Sequence, residues 1–130
     1  MTTFAVRPEA TRDAVVAVLG DKVQQIAIAL GEVTVHVAAA DYLVAAQLLR
    51  DSAACQFEQL IDLCGVDYSA YKNGDYQGPR FCVVTHLLSV ALNQRLRLKV
   101  FAPDDGMPVV ASVSRLWTTA NWFEREAFDL

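Results

Sequence analysis

The sequence has no excess of positive charge and no cluster of cysteines. It carries 11 Lys and Arg residues against 15 Asp and Glu residues, a net charge of -4, which gives no sign of a nucleic-acid-binding surface. The three cysteines, Cys55, Cys64 and Cys82, include no C-x-x-C pair and are too few to ligate a usual iron–sulfur cluster. We therefore expect no nucleic-acid partner, and we interpret the cysteines as buried thiols in a reducing compartment.

Long apolar runs and targeting signals are also missing. No run approaches the roughly 20 residues that a membrane helix requires, and the first residues lack the basic and apolar regions of a secretory signal. We expect the protein to stay in the compartment that makes it. Hydrophobic residues nevertheless make up 54% of the chain and the mean hydropathy is +0.26. These values predict an apolar or partner-facing surface patch.

Motifs for nucleotide binding and for common catalytic sites are absent from the sequence. No G-x-S-x-G, P-loop or G-x-G-x-x-G pattern occurs, and the six glycines stand singly. His36 and His86 each lie inside an alternating strand pattern, and no local spacing supplies a third metal ligand beside either. If Val35 and Val37 face the core, His36 points away from it. The sequence therefore gives no positive indication of a nucleotide or metal site.

Two helices are predicted in the first half of the chain. Pro8 is a good first helical residue, and the pattern runs to Leu19, where Gly20 ends it. Asp41 can cap a second helix that runs to about Arg50. One face of this second helix is apolar and should be buried; it consists of Tyr42, Ala45, Ala46 and Leu49.

Alternating apolar residues predict the strands. The first two form a hairpin in which Gly31 occupies the first central position of a two-residue turn with Glu32. The segment from Phe57 to Tyr68 suits a strand or a helix, and we favour a strand near its end. Two further strands follow a loop from Ser69 to Pro79. They run from Phe81 to Ser89 and from Arg95 to Phe101, with a turn around Asn93.

This order of elements predicts the fold class. Helices mixed with hairpin-connected strands indicate a single α+β domain over residues 1–130, a two-layer sandwich with a mainly antiparallel sheet of about five strands and two to three helices. Pro103–Gly106 form a turn, and Ser112 or Ser114 begins the passage toward a final helix. The chain stops at Leu130 in mid-pattern, without a Gly or Asn cap, so we expect a natural C-terminal extension.

The last predicted strand has one apolar face and one basic face. Leu96, Leu98 and Val100 alternate with three basic residues, which are Arg95, Arg97 and Lys99. Such a charged row is more often a solvated face or an edge protection than a binding site. If it does bind, an acidic protein surface is the partner that we favour.

The final twelve residues, Thr119 to Leu130, combine three acids, one base and three large aromatics. They are too charged for a core and too aromatic for a solvated face. At helical spacing one face carries Trp122, Arg125, Glu126 and Asp129, and another carries Phe123, Ala127 and Leu130. This composition is typical of a surface that contacts another protein.

The same segment offers a candidate acid–base pair, Glu124 and Glu126. Two residues apart on a helix, however, the two side chains project about 200° apart and cannot meet over one substrate. We therefore favour ion pairs with neighbouring or partner groups over catalysis.

Taken together, the residues resemble a known family, the C subunit or 30 kDa subunit of the proton-pumping NADH:quinone oxidoreductase, respiratory complex I. The resemblance covers roughly Phe57 to Leu130. Its most specific part is the closing motif Ala120-Asn121-Trp122-Phe123-Glu124-Arg125-Glu126 with Asp129-Leu130. It is supported upstream by Leu60, Asp62, Val66-Asp67-Tyr68, Arg80-Phe81, Val83-Val84, Leu87-Leu88-Ser89, Asn93, Arg95-Leu96-Arg97, Pro108, Ser112-Val113 and Trp117.

The resemblance implies a hydrophilic, peripheral-arm subunit that carries no redox cofactor and no catalytic residue. It would act as a scaffold docked against the large subunit that forms much of the quinone site, and would reach the membrane only through the complex, at the cytoplasmic face of a bacterial inner membrane. The residues expected to dock are Asn121, Trp122, Glu124, Arg125, Glu126 and Asp129, with Arg95 and Arg97. In the family the closing helix continues into a further C-terminal segment, which this sequence lacks.

Two other functions stay open at this point. One is a small stand-alone enzyme that uses Glu124 or Glu126 as a general base, which predicts a concave pocket around that helix. The other is the equivalent subunit of a related membrane-bound oxidoreductase, such as a hydrogenase or a plastid-type dehydrogenase. The absence of an Arg/Ser-rich amphipathic leader favours a bacterial over an organellar origin.

Overall fold

A computed structural model describes residues 7–67, 81–102, 112–113, 115–117 and 124 of the chain. These residues form two α-helices and one five-stranded sheet. In chain order the elements are α1 (Pro8–Leu19), β1 (Val23–Ala29), β2 (Glu32–Val37), α2 (Tyr42–Asp51), β3 (Gln59–Asp67), β4 (Phe81–Ser89) and β5 (Gln94–Phe101).

The strand order in the sheet is β1-β2-β5-β4-β3. Three neighbouring pairs are antiparallel, and the fourth, β2 with β5, is parallel. The predicted α+β class with a mainly antiparallel sheet is confirmed. The parallel pair was not predicted, because its two strands are far apart in the sequence. After β2 the chain passes through α2, β3 and β4 before β5 pairs with β2.

One face of the sheet and one face of each helix form the core. On β5 the side chains of Leu96, Leu98 and Val100 are buried, as the alternation predicts. The helix α1 packs against β1, β2, β5 and α2. The four residues predicted to line the buried face of α2 are all at most 1% exposed; they are Tyr42, Ala45, Ala46 and Leu49. Both helices therefore cover the same side of the sheet, which confirms the two-layer sandwich.

The helix boundaries agree with the predicted ones. The helix α1 has Pro8 in its first turn and ends at Gly20, whose φ of 57° is easy only for glycine. The side chain of Asp41 makes no capping hydrogen bond to α2, so that part of the prediction is wrong. A short 3-10 turn over Ala39–Asp41 leads directly into α2 and already holds Asp41 in a helical conformation, whereas a capping residue usually has an extended backbone.

The hairpin between β1 and β2 turns one residue earlier than predicted. Ala29 pairs with Glu32, so the central turn residues are Leu30 and Gly31, with φ angles of 53° and 79°. Gly31 therefore takes the second central position, not the first. Positive φ at both positions is the signature of a type I′ turn, which matches the right-handed twist of the flanking strands.

The segment that the sequence left ambiguous is a strand, because β3 extends from Gln59 to Asp67. Asn93 adopts a positive φ of 53° just before β5, which confirms the predicted turn. The predicted loop over Ser69–Pro79, the turn over Pro103–Gly106 and almost all of the final helix lie outside the described residues. Within the described residues, no helix is long and apolar enough to span a membrane.

Buried polar contacts involving Tyr42 and Gln94 connect the layers. The hydroxyl groups of Tyr42 on α2 and Thr85 on β4 lie 2.9 Å apart. Burial raises the pKa of Tyr42 to about 12, so the phenol stays neutral. The buried amide of Gln94 donates to the carbonyl of Cys55 at 2.9 Å and accepts a hydrogen bond from Thr11 on α1 at 3.1 Å. Such contacts fix the registry of helices on the sheet because a buried polar group left unpaired is costly.

We expect a Tyr42→Phe substitution to lower the free energy of unfolding by about 1 to 2 kcal/mol, because it leaves the Thr85 hydroxyl without this partner in the core. A Thr85→Val substitution should cost a comparable amount. The double variant should cost less than the sum of the two, since it removes both partners together. Urea unfolding with an unchanged m-value measures all three. Strictly additive losses would show that the hydroxyl groups do not interact.

Candidate functional site

The face of the sheet that points away from both helices, called the polar face below, carries most of the strand charges. Cross-strand pairing places Thr34, Arg97, His86 and Asp62 in one row across β2, β5, β4 and β3. The next row contains His36, Lys99, Val84 and Cys64. Residues directly opposite each other in such rows have Cβ atoms about 4.5 to 5.5 Å apart and interact. The fold therefore gathers polar groups that are far apart in the sequence.

Arg97 is anchored within the chain. Its Nη2 donates a hydrogen bond to the carboxylate of Glu32 on β2. The side chains of Arg97 and Glu32 are 41% and 49% exposed, so this ion pair contributes little to stability. The buried Nε of Arg97 has no hydrogen-bond partner in the described part of the chain. Arg95, by contrast, is exposed at the start of β5. Of the two arginines predicted to dock, Arg95 is the one that is exposed as a whole residue, and Arg97 is the one in an ion pair.

The far end of the polar face combines a cation with two rings. Lys99 Nζ lies 5.6 Å from the centroid of the Phe101 ring, within the range of a cation–π contact. The His36 ring meets the same Phe101 ring edge-on, with the centroids 5.5 Å apart. Burial, with a smaller contribution from Lys99, lowers the pKa of His36 below its usual value. His36 is therefore neutral at neutral pH, and the positive charge at this end belongs to Lys99.

The three cysteines differ in environment. Cys55 and Cys82 are at most 2% exposed, and burial raises the pKa of each thiol to about 11. The prediction of buried thiols is confirmed for these two. It is wrong for Cys64, which is only half-buried and lies on the polar face. Burial and the nearby Asp62 raise the pKa of Cys64, while Arg97 opposes them.

Cys64 belongs to a cluster with Asp62 and His86. Each of the three offers one ligand-type atom, and these atoms all lie within 4.8 Å of one another. Local spacing in the sequence does not reveal this cluster. His86 is on β4 and the other two residues are on β3, so only the pairing of the strands brings them together.

Glu124 lies on the helix side of the molecule, not on the polar face. Its carboxylate accepts a hydrogen bond from the backbone N–H of Val113 and another from the hydroxyl of Ser112, each at 2.8 Å. Val113 is fully buried, and Trp117 beside it donates from Nε1 to the carbonyl of Phe57 at 3.0 Å. The carboxylate thus holds Ser112 and Val113 over the core, a structural contact that the sequence did not predict.

A cavity of about 140 Å³ lies at the end of the sheet where β2 and β5 begin. Its lining includes Thr11, Glu32, Asn93, Arg95 and Arg97. Among the described residues, Glu124 does not line it. The cavity therefore gives no support to a general base at Glu124.

The sequence matches a protein-family model over residues 35–130, and that family is described as "Respiratory-chain NADH dehydrogenase, 30 Kd subunit". The chain belongs to this family. The match begins well before Phe57, where the resemblance seen in the sequence starts, and so includes the second half of β2 and the whole of α2.

Relatives whose names identify them as the C subunit of an NADH-quinone oxidoreductase support the same assignment. The protein of Polaromonas sp. (strain JS666 / ATCC BAA-500) is 65% identical over 130 residues, and that of Verminephrobacter eiseniae (strain EF01-2) is 62% identical over 130 residues. Each match covers 100% of this chain and 64% of the relative. The chain thus spans a little less than two thirds of the length of these relatives.

A solved structure has the same fold. The chain described as "Nqo5 of the trypsin-resistant fragment (1-134) in P63 form" aligns with a TM-score of 0.68 and 29% identity, over 81% of this chain and 80% of that one. The family resemblance read from the sequence is therefore confirmed, both by identity to named relatives and by fold.

Of the eight residues predicted to dock, three lie in the described part of the chain. Arg95 and Arg97 share the polar face, and Glu124 lies on the opposite side, hydrogen-bonded to Ser112 and Val113. Their predicted role in docking stays a prediction. The remaining five lie outside the described residues; they are Asn121, Trp122, Arg125, Glu126 and Asp129. The alternative general base Glu126 lies outside them as well.

We expect Glu124→Ala to lower the free energy of unfolding of the isolated chain by about 1 to 3 kcal/mol, because Val113 N–H and the Ser112 hydroxyl lose a charged acceptor. Glu124→Gln keeps one acceptor oxygen and should cost less. The control is Asp13→Ala on the exposed side of α1, which should change stability by less than about 0.5 kcal/mol. If Glu124→Ala proves as silent as the control in chemical denaturation, the carboxylate has no structural role.

Proposed function

We propose that this chain is a scaffold domain of the proton-translocating NADH:quinone oxidoreductase, respiratory complex I. In this role it carries no redox cofactor, transfers no electron itself and helps to position the subunits between the electron-carrying chain and quinone. Membership of the 30 kDa subunit family supports the proposal, as do the relatives named as the C subunit of NADH-quinone oxidoreductase. Its place is then peripheral, at the cytoplasmic face of a bacterial inner membrane.

The observation that carries the proposal is the division of the sheet into two faces. The core is filled by side chains on the helix side, where the buried residues of β2, β4 and β5 show at most 6% exposure. Arg95, Arg97 and Lys99 are therefore not required to fill the core. These three cations create a local positive potential, although the net charge of the chain is -4. Such a field steers and orients an acidic partner surface.

We further propose that the partner surface is an acidic patch of the large subunit that forms much of the quinone site. Arg95 contributes the displayed charge, and Arg97 contributes a guanidinium already held in place by Glu32. A side chain fixed in the free protein loses less conformational freedom on binding. The docking role of Asn121, Trp122, Arg125, Glu126 and Asp129 belongs to the same proposal.

A second surface suits contact with other peripheral-arm subunits. Leu43, Val44 and Leu48 on α2 are 41%, 50% and 36% exposed, although the helix buries its opposite face. Exposed apolar residues grouped on one helix are a feature of interaction surfaces. They agree with the apolar patch that the high hydropathy of the sequence predicts.

The experiment that tests the scaffold role is a purification of the genomically tagged, full-length form from detergent-solubilised membranes. We expect NADH-dependent quinone reduction to co-elute with the tag, together with larger subunits. Recovery of the tagged chain alone from the soluble fraction would contradict the proposal. The alternative of a stand-alone enzyme with Glu124 or Glu126 as general base would then be tested.

The same purification tests the polar face. We expect Arg95→Glu to reduce the recovered large subunit about fivefold or more, because a reversed charge repels an acidic partner. Arg12→Glu on α1 is the matched control: it changes the net charge equally and should leave recovery unchanged. Circular dichroism of both purified chains checks that each is folded. Equal recovery with the two variants would exclude the polar face as the docking surface.

A further inference from the structure

The β3–β4 hairpin displays three side chains of unlike chemistry on the polar face. Asp62 and Cys64 extend from β3, and His86 extends from β4. They offer an oxygen, a sulfur and a nitrogen donor, all within 4.8 Å of one another. We propose that these three residues form a binding site for a divalent transition-metal ion, with Zn²⁺ as the best fit.

A bulge in β3 creates this arrangement. The register with β4 shifts between Leu60 and Asp62, so that Ile61 is the extra residue. In a regular strand Leu60 and Asp62 would point to the same face, and Asp62 would enter the core. The bulge reverses the alternation: Leu60 and Leu63 are buried, and Asp62 turns to the polar face opposite His86. Bulges that redirect a side chain are frequent beside functional sites.

The distances suit tetrahedral coordination after a small adjustment. Zinc bonds of about 2.0 to 2.3 Å place neighbouring ligand atoms about 3.3 to 3.8 Å apart. The three ligand atoms lie within 4.8 Å of one another, so they must approach by about 1 Å. Side-chain rotation allows this without movement of the strands. Asp62 pairs directly with His86, and Cys64 lies one step along the same face, so the ladder holds the three Cβ atoms in place.

The donors are available for a ligand. Among the residues that the structure describes, no hydrogen bond or ion pair engages the side chain of Asp62, Cys64 or His86. Asp62 is exposed and the other two are half-buried, so an ion can enter from solvent. Three protein ligands leave one position of a tetrahedral ion open to water or to a partner group.

The chemistry of the set selects the ion. A thiolate and an imidazole favour Zn²⁺ or Co²⁺ over Mg²⁺ and Ca²⁺, which prefer oxygen ligands. When the bond between the metal and sulfur forms, the S–H bond of Cys64 breaks and its proton passes to the solvent. Arg97 pairs with His86 across the strands and is the one cation among the described residues of that cross-strand row. Its guanidinium is paired with Glu32, which reduces its repulsion of a bound metal ion.

Metal titration of the purified chain tests the site directly. We expect Co²⁺ to produce the near-ultraviolet absorption of a thiolate-to-cobalt transition, and Zn²⁺ to displace it. Mg²⁺ should produce no change. Cys64→Ser and His86→Gln should each weaken Zn²⁺ binding more than about tenfold, measured by competition with a chromophoric chelator. The matched controls are His36→Gln and Cys82→Ala, which remove a histidine and a cysteine close by and should leave the affinity unchanged.

A second measurement uses the unchanged chain and so does not depend on the folding of a variant. Zn²⁺ should slow the alkylation of Cys64 at least severalfold, with the modified residue located by mass spectrometry. Absence of thiolate–cobalt absorption, unprotected Cys64, or an equal loss of affinity in the His36→Gln control would each overturn the proposal. The test needs no other subunit, so its failure leaves the proposed scaffold role untouched.

Discussion

The strict alternation of side chains along β5 is the constraint on which the rest of the structure depends. This strand lies in the middle of the sheet, between β2 and β4, so its two faces become the two faces of the whole layer. Leu96, Leu98 and Val100 are at most 2% exposed, and a shift of register by one residue would exchange them for Arg95, Arg97 and Lys99. Burial of three unpaired cations is prohibitively costly. The apolar requirement of the core therefore fixes the position of the basic row.

Features that depend on local patterns could be predicted from the sequence. The helix α1 begins and ends where Pro8 and Gly20 indicate, and the buried face of α2 follows its helical spacing. The strand β5 alternates as expected, and β4 alternates from Val83 onward, although Cys82 before it is buried as well. The prediction placed the turn one residue too late. The observed turn contains Leu30 with a positive φ, which is uncommon for leucine, so the sequence gives no signal for a turn there.

Features that depend on contacts distant in sequence could not be predicted. Nothing in β2 or β5 alone indicates that they pair in parallel, since that pairing follows from the path of the chain between them. The bulge at Ile61 was hidden in a run of apolar residues that suited either a helix or a strand. The cluster of Asp62, Cys64 and His86 depends on both the bulge and the β3–β4 pairing. The contact of Glu124 with Ser112 and Val113 likewise spans 12 and 11 residues.

The two faces of the sheet thus differ in what their side chains contact. On the helix side, short polar contacts such as those of Tyr42, Gln94 and Glu124 hold the segments over the core. On the polar face, the charged groups lie outside the core, and the two proposals made for this face use different parts of it. Docking involves the basic row of β5, and metal binding involves the β3–β4 edge. Both proposals place binding on the polar face of a chain from the 30 kDa subunit family.

The measurement that tests this claim most directly is site-specific photo-crosslinking in native membranes. A photo-reactive amino acid would replace Gln59, which is exposed and shares a row with Leu88 and Arg95. A second strain would carry it at Asp13 on the outer side of α1. If the polar face docks, the Gln59 position forms an adduct with the large subunit that co-elutes with NADH-dependent quinone reduction, and the Asp13 position does not. An adduct to that subunit from Asp13 and none from Gln59 would contradict the account.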